Sequence, residues 1–514
     1  MPFHPFLFAL FPVLALYAQN RGQLSLTDAS FLLSLAGVLI LTGLLWLGLN
    51  LILKNRFRSA ILASFYLGVI FSYDAAHNFF SWIRLDLGVI VIGPDKILFP
   101  LWVVLILGAG FLAVRTRRGW GLASKFFNAA GVVLVAIPLA FIIPFEASRA
   151  AIYLEPASPA VEPVEYDGPT PDIYYLILDR YAAGSTLADF GYDNAPFLNF
   201  LSAKGFYVAD ESVANYSKTH MSLASSLNLT YLDHLTAAYG EDYADFTRVY
   251  EMMENYEVWR FLKARGYEFY HLGSAWGPTI RNRYADENVN YCPPREFISI
   301  LYRTSMFYPV GKNLGPAGRC LYPWDVQYER ENFKIAELKE MPQVEGPKFV
   351  FAHFLIPHNP YVFRSDCTRP EPDEVLPYIN TRDYLNQLNC TNQKITEVVE
   401  ALLAEAENPP VIVIQADEGP FIHAQWVSQP GSDDWTQISA PALQSHMRIL
   451  NTYYLPGGEY AGFYPSISPV NSFRLIFNKI FGTEYDLRPD QSFIFLNNEH
   501  PYQFFDVTKV VEYR

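Results

Sequence analysis

Ile173-Tyr174-Tyr175-Leu176-Ile177-Leu178-Asp179 is an apolar run that ends abruptly in an acid, and a second run, Val411 to Ala416, ends in the pair Asp417-Glu418. Runs without polar alternation are typical of central strands in a parallel sheet, which are buried on both faces. The carboxyl ends of such strands meet at one edge of the sheet, where α/β proteins carry their sites. An acid there costs stability unless a cation or hydrogen bonds compensate it, so these acids predict a divalent metal site.

The charge is distributed unevenly along the chain. Of 514 residues with a net charge of -14, the first 150 hold 11 Lys/Arg and 5 Asp/Glu, a net of +6 that leaves -20 for the rest. This length predicts two or three structural units, and the contrast in charge indicates that they differ in kind. The acidic part argues against a nucleic-acid partner, because it would repel the phosphates.

The basic, apolar front of the chain predicts five membrane helices, because several of its runs approach the ~20 apolar residues that a bilayer requires. The predicted spans are Phe6–Tyr17, Phe31–Leu53, Ala60–Phe80, Leu98–Val114 and Phe126–Phe145. A signal peptide is the alternative for the short first run. The loops after the second and fourth spans are the most basic, and the positive-inside rule places them in the cytoplasm. The predicted protein is thus a multi-pass cell-membrane protein with a cytoplasmic N-terminus and an extracytoplasmic C-terminal domain.

The expected domain boundaries follow from composition. Residues 1–147 form the transmembrane domain, 148–171 a proline-rich linker, and 172–514 the extracytoplasmic domain. In the last of these, apolar strands alternate with helical patterns, which predicts an α/β fold around a mostly parallel central sheet. Further strands are expected at Tyr267–Leu272, Lys348–Phe354 and Ile449–Leu455, and helices at Asp193–Lys204, Val258–Ala264, Leu376–Glu407 and Ser468–Gly482.

All four cysteines, Cys292, Cys320, Cys367 and Cys390, lie in the predicted extracytoplasmic domain. Their spacing lacks the close pairs of a zinc site, so disulfides are favoured over metal binding. Four cysteines allow three pairings, and pairing of sequence neighbours is the prediction made here.

Thr219 opens a stretch with helical periodicity and small residues, Thr219 to Asn228. A helix N-terminus favours an anion, whether an alkoxide or a phosphate. A metal-activated Thr219 hydroxyl would be a competent nucleophile. The alternative is that Thr219 or Ser217 only caps the helix.

Two histidines follow or end the predicted strand Lys348–Phe354. His358 lies in Pro357-His358-Asn359-Pro360, a rigid loop suited to presenting an imidazole to an anionic group, whereas His353 lies on the strand itself and could equally be structural. Both are candidate substrate contacts.

The order strand-Asp, Lys-Thr-His-Met-Ser-Leu-Ala-Ser, Pro-His-Asn-Pro and strand-Asp-Glu-Gly resembles the alkaline phosphatase superfamily. Within it, the chain is similar to the membrane-bound sulfatase-like branch that includes lipoteichoic acid synthases and phosphoethanolamine transferases. The resemblance covers residues 172 to about 482, and membrane spans followed by an external catalytic domain are also the architecture of those enzymes. It implies an N-terminal α-helical transmembrane bundle of five spans plus an alkaline-phosphatase-like α/β domain.

The resemblance also implies roles for individual residues. Thr219 matches the threonine nucleophile that becomes phosphorylated, and it completes a metal shell with Asp179, Asp417 and Glu418. His358 matches a histidine that contacts the substrate phosphate. Arg448 is a further candidate for anion contact.

The chain departs from the family pattern at Glu418, where histidine is usual. Three carboxylates and a hydroxyl form a hard shell that favours Mn²⁺ or Mg²⁺, with Ca²⁺ and Zn²⁺ as alternatives. The expected cofactor is therefore one divalent ion. The Cys/Ser-x-Pro-x-Arg motif of true sulfatases is absent at Thr219, which disfavours sulfate-ester hydrolysis.

The resemblance implies a metal-dependent phosphotransferase. Its donor would be a membrane phospholipid whose headgroup, of the phosphoglycerol or phosphoethanolamine type, passes through a phosphothreonine to an envelope glycan or lipid. A hydrolase would use the same residues with water as acceptor. A catalytically inactive envelope-binding membrane protein is the alternative from another class.

Overall fold

The computed structural model describes residues 1–21, 26, 29–80, 85–86, 91–116, 120–152, 161–292, 296–311, 320, 326–371, 374, 379–406, 408–423 and 434–513. They fall into two compact units. The first comprises Met1–Ser158 with Pro294–Pro323, and the second comprises Pro159–Pro293 with Trp324–Arg514.

The first unit is helical at all five predicted places. Its helices are His4–Gln19, Ala29–Leu53, Arg56–Phe71, Tyr73–Phe79, Pro94–Arg115 and Trp120–Ile152, with a small antiparallel pair of strands, β1 (Leu85–Asp86) and β2 (Val91–Ile92). Three of the helices are long and apolar enough to cross a membrane, Ala29–Leu53, Pro94–Arg115 and Trp120–Ala150. The bent pair Arg56–Phe71 and Tyr73–Phe79 would make a fourth span, whereas His4–Gln19 is shorter. Five spans are therefore not confirmed.

The first unit also contains a segment from the middle of the chain. Its helices are Glu296–Arg303 and Tyr308–Gly311, and Phe297 packs its ring edge-on against Phe31, with centroids 5.4 Å apart. Leu301 joins the same apolar cluster. Sequence reasoning did not assign this segment to the first unit, and the boundaries at residues 147 and 172 stay a prediction of domain organisation.

Among the described residues, the second unit is built on a seven-stranded mixed sheet. Its strands are β3 (Ile173–Leu178), β4 (Tyr207–Val208), β5 (Glu268–Leu272), β6 (Glu287–Val289), β7 (Lys348–Phe354), β8 (Val411–Gln415) and β9 (Asn451–Tyr454). Their order across the sheet is β4-β9-β8-β3-β7-β5-β6. The central strands are parallel, and β9 is antiparallel to both β8 and β4. A separate antiparallel pair, β10 (Phe493–Phe495) and β11 (Phe504–Asp506), lies near the C-terminus.

Helices connect these strands, as the alternating pattern predicts. They are Gly184–Asp189, Ala195–Ala203, Thr219–Leu227, Asp233–Tyr239, Thr247–Glu254, Glu257–Lys263, Gln327–Glu340, Thr381–Glu405, Ala440–Met447, Pro469–Phe481 and Thr508–Val511, with 3-10 turns at Gly277–Thr279, Met341–Gln343, Trp435–Gln437 and Pro456–Gly458.

The sheet has an apolar core on each face, because side chains alternate along a strand. Ile173, Tyr175 and Ile177 of β3 belong to one cluster, whereas the residues between them belong to the other. Every residue of β3 is fully buried. The unbroken apolar run thus makes β3 a central strand, and the polar site begins where the run stops.

The cysteines are oxidised. Cys367 and Cys390 form a disulfide, as predicted for sequence neighbours, and Cys292 and Cys320 are disulfide-bonded as well.

Candidate metal and nucleophile site

Three adjacent parallel strands bring the predicted acids together. Asp179 directly follows β3, Asp417 follows β8 by two residues, and His353 lies in β7 opposite Ile177. One ligand atom from each of Asp179, His353 and Asp417 lies within 4.8 Å of the others. The three side chains, called here the ligand trio, are at most 3% exposed. The strand register therefore builds a buried cluster at the carboxyl edge of the sheet.

The trio fits a divalent cation. Asp179 Oδ1 and His353 Nε2 are buried without a hydrogen-bond partner in the described part of the chain, and His353 Nε2 lies 3.7 Å from Asp179 Oδ2. Burial raises the pKa of Asp179 well above its usual value, and the Asp417 charge adds to that effect. Burial also raises the pKa of Asp417 to about 7 and lowers that of His353 well below its usual value. Two acids that resist ionisation and an imidazole that resists protonation are the groups a metal ion would stabilise.

Thr219 joins the trio at the start of the helix Thr219–Leu227. Its hydroxyl lies close enough to the Asp417 carboxylate to lower the pKa of that acid. Lys218, the residue before the helix, is extended, with φ -143° and ψ 138°. Thr219 is therefore the first residue of the helix, and its hydroxyl lies at the end where the helix dipole favours an anion. The structure thus places the predicted nucleophile near Asp417, one of its predicted metal ligands.

Glu418 has a different environment from the one predicted. Its Oε1 accepts a hydrogen bond from Arg180 Nε at 3.2 Å, and its Oε2 lies 3.9 Å from His446 Nε2. His353, expected to contact substrate or to be structural, takes the third place in the trio. A metal ion held by the trio would therefore have an imidazole nitrogen among its ligands, and a ligand role for Glu418 stays a prediction.

A hydrogen bond orients the His353 imidazole. Thr279 Oγ1 lies 2.8 Å from Nδ1 and 2.7 Å from Ser274 Oγ. When Nδ1 carries the proton and donates it to Thr279, Nε2 keeps its lone pair on the side of Asp179. Hydrogen bonds of this kind fix the tautomer of metal-binding histidines.

Replacing Thr279 by valine is expected to weaken metal binding by about 10–100-fold, because the imidazole loses the partner that sets its tautomer. Isothermal titration with Mn²⁺ would measure the change. Thr452→Val removes a buried threonine hydroxyl that bonds the Ile414 carbonyl and is the matched control. Equal affinities in the two variants would contradict the role given to Thr279.

His358 supports the site through its main chain. Its N–H donates to the Asp179 carbonyl at 3.1 Å, and its carbonyl accepts from Gln387 Nε2 at 2.6 Å. Both flanking prolines follow cis peptide bonds. The His358 ring is hydrogen-bonded through Nδ1 to the Asn359 carbonyl, and burial lowers its pKa well below the usual value. Its contact with a substrate phosphate stays a prediction.

Arg448 is not brought to the site. Its Nε and Nη2 donate to the Val511 and Glu512 carbonyls, each at 3.0 Å, and its guanidinium lies 4.2 Å from the centroid of the Tyr513 ring. The Arg448 side chain therefore binds the C-terminal segment, instead of making the anion contact that the sequence predicted.

Three charged or ionisable residues near the site were missed by sequence reasoning: Arg180, Lys218 and His446. Arg180 follows a predicted ligand and Lys218 precedes the predicted nucleophile, so their adjacency in the sequence could have marked both as site residues. His446 ends a helix far along the chain, where its Nε2 donates to the Ser217 carbonyl at 3.0 Å. No local pattern in the sequence marks it.

The turn after Asp417 and Glu418 requires glycine at position 419. A Cβ there would lie 2.7 Å from the carbonyl oxygens of both Ser445 and His446. Gly419→Ala is expected to lower the free energy of unfolding by about 1–3 kcal/mol, because backbone must move to admit the methyl group. Thermal unfolding would detect it, with Gly184→Ala as control, since a Cβ there meets only Leu198 Cδ1 at 3.4 Å. Similar midpoints for the two variants would refute the steric argument.

Comparisons with known proteins give structural neighbours. The C-terminal periplasmic domain of EcEptC from Escherichia coli is similar with 13% identity and a TM-score of 0.44, covering 68% of this chain and 96% of that one. The integral membrane protein lipooligosaccharide phosphoethanolamine transferase A from Neisseria meningitidis is similar with 11% identity and a TM-score of 0.39, covering 92% and 95%. The candidate sulfatase yidJ from Bacteroides fragilis is similar with 13% identity and a TM-score of 0.36, covering 68% and 84%.

No protein-family description and no curated protein matches the sequence.

Proposed function

We propose that this chain is a membrane-anchored, metal-dependent phosphotransferase that moves a phospholipid headgroup to an envelope glycan or lipid through a phosphothreonine at Thr219. The observation that carries the proposal is the placement of the Thr219 side chain, at a helix N-terminus, against Asp417 of the ligand trio. A hydroxyl, two carboxylates and an imidazole from four separate segments have no evident structural reason to converge in a buried place.

The trio and Thr219 would hold the metal. An imidazole with two carboxylates suits Mn²⁺ or Zn²⁺ better than Mg²⁺ or Ca²⁺, since the latter pair prefer all-oxygen shells. When bound, the ion supplies charge stabilisation to the threonine alkoxide and to the phosphoryl oxygens. Zn²⁺ therefore takes the place that Mg²⁺ had in the expectation from the sequence, where His353 was not counted as a metal ligand.

The reaction would proceed in two balanced steps. Thr219 Oγ1 forms a bond to phosphorus while the bond from phosphorus to the diacylglycerol oxygen breaks, and the threonine proton ends on the released diacylglycerol. In the second step an acceptor hydroxyl attacks phosphorus, loses its proton and returns Thr219 as a hydroxyl. The helix N-terminus favours the charge that develops in both steps.

The proposal is tested by incubating the full-length protein with Mn²⁺ in vesicles that contain a phospholipid donor. Release of diacylglycerol and a headgroup phosphate on Thr219, found by peptide mass spectrometry, are the expected results. Adding a sugar acceptor should speed the loss of the adduct, whereas equal loss in water alone would indicate a hydrolase. Diacylglycerol release without any adduct on Thr219 would overturn the proposed mechanism.

A further inference from the structure

A segment from the middle of the chain packs on one end of the helical first unit. Residues 296–311, called here the capping segment, belong to that unit. Phe297 and Leu301, one helical turn apart, lie in the same buried apolar cluster as Tyr17. Tyr17 is near the C-terminal end of the helix His4–Gln19. The first part of the capping segment is therefore held at this end of the helices.

The second part of the capping segment reaches another apolar cluster. Met306 packs there with Tyr73 and Leu98. Its N–H donates to the carbonyl of Ile70 at 2.9 Å, in the last turn of the helix Arg56–Phe71. Carbonyls in the last turn of a helix lack a partner within that helix, so the capping segment satisfies a group that the helix itself cannot. Packing and backbone hydrogen bonding thus make the segment an integral part of the first unit.

Both clusters lie at the end of the helices from which the chain continues to the second unit. Tyr17 Oη donates to Glu146 Oε1 at 2.6 Å, in the C-terminal part of the helix Trp120–Ile152. Only four residues separate Leu301 from Met306, so the second cluster is beside the first. In the predicted topology this end is extracytoplasmic. The capping segment therefore lies where the predicted spans leave the bilayer.

The capping segment presents two apolar side chains at its surface. Phe307 is 50% exposed and Val310 is 38% exposed. The Gly311 N–H donates to the Phe307 carbonyl at 2.9 Å, so residues 307–311 form one helical turn. Residues three apart on a helical turn lie on the same face. Phe307 and Val310 thus form a single apolar surface, called here the Phe307 patch.

The Phe307 patch continues the exposed apolar surface of the neighbouring helices. Phe79, which ends the helix Tyr73–Phe79, and Leu101 of the helix Pro94–Arg115 are both exposed. These two helices supply the cluster around Met306. A continuous apolar surface on a chain with predicted membrane spans is covered by lipid. The same lipid would cover the Phe307 patch.

A cation and a phenol accompany the Phe307 patch. Arg303 is exposed, and its guanidinium lies 5.9 Å from the centroid of the Tyr308 ring. Tyrosine is enriched where spans meet water, and arginine keeps its charge among the headgroups while its stem covers apolar surface. Apolar, phenolic and cationic groups together are the set that a phospholipid surface accommodates.

We propose that the capping segment lies in the extracytoplasmic surface of the bilayer, with Phe307 and Val310 among the acyl chains and Arg303 at the headgroups. Its partner is the phospholipid surface itself. Helices that lie in this interface bury their apolar face by about 5–10 Å at the boundary of headgroups and acyl chains. The inference is independent of the chemistry at Thr219. It adds a membrane contact from a part of the chain that is distant in sequence from the predicted spans.

A fluorophore at position 307 tests the depth of the patch. All four native cysteines are disulfide-bonded, so the cysteine of full-length Phe307→Cys is the free thiol that a label would modify. The labelled protein is placed in phosphatidylcholine vesicles whose acyl chains carry a nitroxide near the headgroup end or near the tail end. We expect the headgroup-end nitroxide to quench at least about twofold more strongly than the tail-end one, as a depth at the boundary requires. Iodide added to the water should quench weakly.

Two labelled positions calibrate the measurement. Leu44→Cys places the label on an exposed position in the middle of the helix Ala29–Leu53, and there the tail-end nitroxide should quench more strongly. Lys509→Cys replaces a lysine whose side chain is 87% exposed in the second unit, and iodide alone should quench that label. The same Lys509→Cys protein shows whether the fluorophore itself draws a side chain into lipid.

A charge in the patch tests the contribution of Phe307. With the label on Val310→Cys, adding Phe307→Asp should lower quenching by the headgroup-end nitroxide by about half or more, because an acid is costly among acyl chains. Phe307→Leu keeps the apolar contact and should leave the quenching unchanged. Thermal unfolding of each protein shows that the variants are folded.

Three results would overturn the proposal. Quenching of the label at position 307 by iodide to the extent seen at position 509 would place the patch in water. Quenching by neither iodide nor the nitroxides would mean that protein covers it, such as a second copy of the chain. Stronger quenching by the tail-end nitroxide would place it in the interior of the bilayer. None of these results would alter the role proposed for Thr219, which the adduct experiment tests separately.

Discussion

Thr219→Val is expected to reduce diacylglycerol release by about four orders of magnitude and to abolish the headgroup adduct, because the only oxygen able to attack phosphorus in the proposed mechanism is removed. Valine has nearly the same shape as threonine, so packing at the start of the helix should survive. Thr219→Ser restores an attacking hydroxyl and should recover part of the activity. The effect is large because loss of a nucleophile leaves only binding and charge stabilisation.

Thr236→Val provides the comparison for this variant. Thr236 lies in the helix Asp233–Tyr239 of the same unit, and its hydroxyl donates to the Tyr502 carbonyl at 2.6 Å. The same chemical change is therefore made outside the trio. Thr236→Val should retain diacylglycerol release, once the rate is corrected for any loss of folded protein measured by circular dichroism. Full diacylglycerol release by Thr219→Val would eliminate the phosphothreonine route, whatever the metal content.

The fold could be predicted in large part because its strongest signals are local. Apolar runs mark β3, the part of β7 from Phe349 to Ala352 and the part of β8 from Val411 to Ile414, since a strand buried on both faces has no polar alternation. Glycine and proline mark several helix ends, as at Gly482, which follows Pro469–Phe481 in a left-handed conformation. The middle-chain helix Glu296–Arg303 carries no comparable signal of its location, because its partners in the first unit, such as Phe31, are distant in the sequence.

The candidate site could be predicted only where a polar residue follows an apolar strand or opens a helix. Asp179 and Asp417 stand out because an acid interrupts an apolar run, and Thr219 because a helix begins there. His353 lies inside a strand, and only the pairing of β7 with β3 brings it to Asp179. The pairing of Arg180 with Glu418 depends on the same non-local register. An arginine such as Arg448 looks equally suited to an anion until its partners at the C-terminus are known.

Asp417→Asn is expected to abolish metal binding and, at the same time, to stabilise the metal-free protein at alkaline pH. In the folded metal-free chain, burial and the Glu418 charge raise the pKa of Asp417 to about 7, from about 3.9 in the unfolded chain. The folded state therefore binds more protons than the unfolded state between these values, and the Asp417 contribution to stability falls as pH rises through that range. Linkage puts the loss at roughly 4 kcal/mol above about pH 7.

The comparison between wild type and variant measures Asp417 together with its effect on Asp179, because the Asp417 charge helps to raise the Asp179 pKa. Burial lowers the pKa of His353 and His358, so their contributions rise with pH, but they are present in both proteins. With a chelator, the wild type and Asp417→Asn should have similar thermal midpoints at about pH 4 and below, and the variant should be the more stable near about pH 9. Added Mn²⁺ should raise the midpoint of the wild type alone, since a ligand that binds only the folded state stabilises it. If the wild type were the more stable at alkaline pH without metal, the Asp417 carboxylate would already be compensated by the protein, and the physical reason for a cation at the trio would disappear.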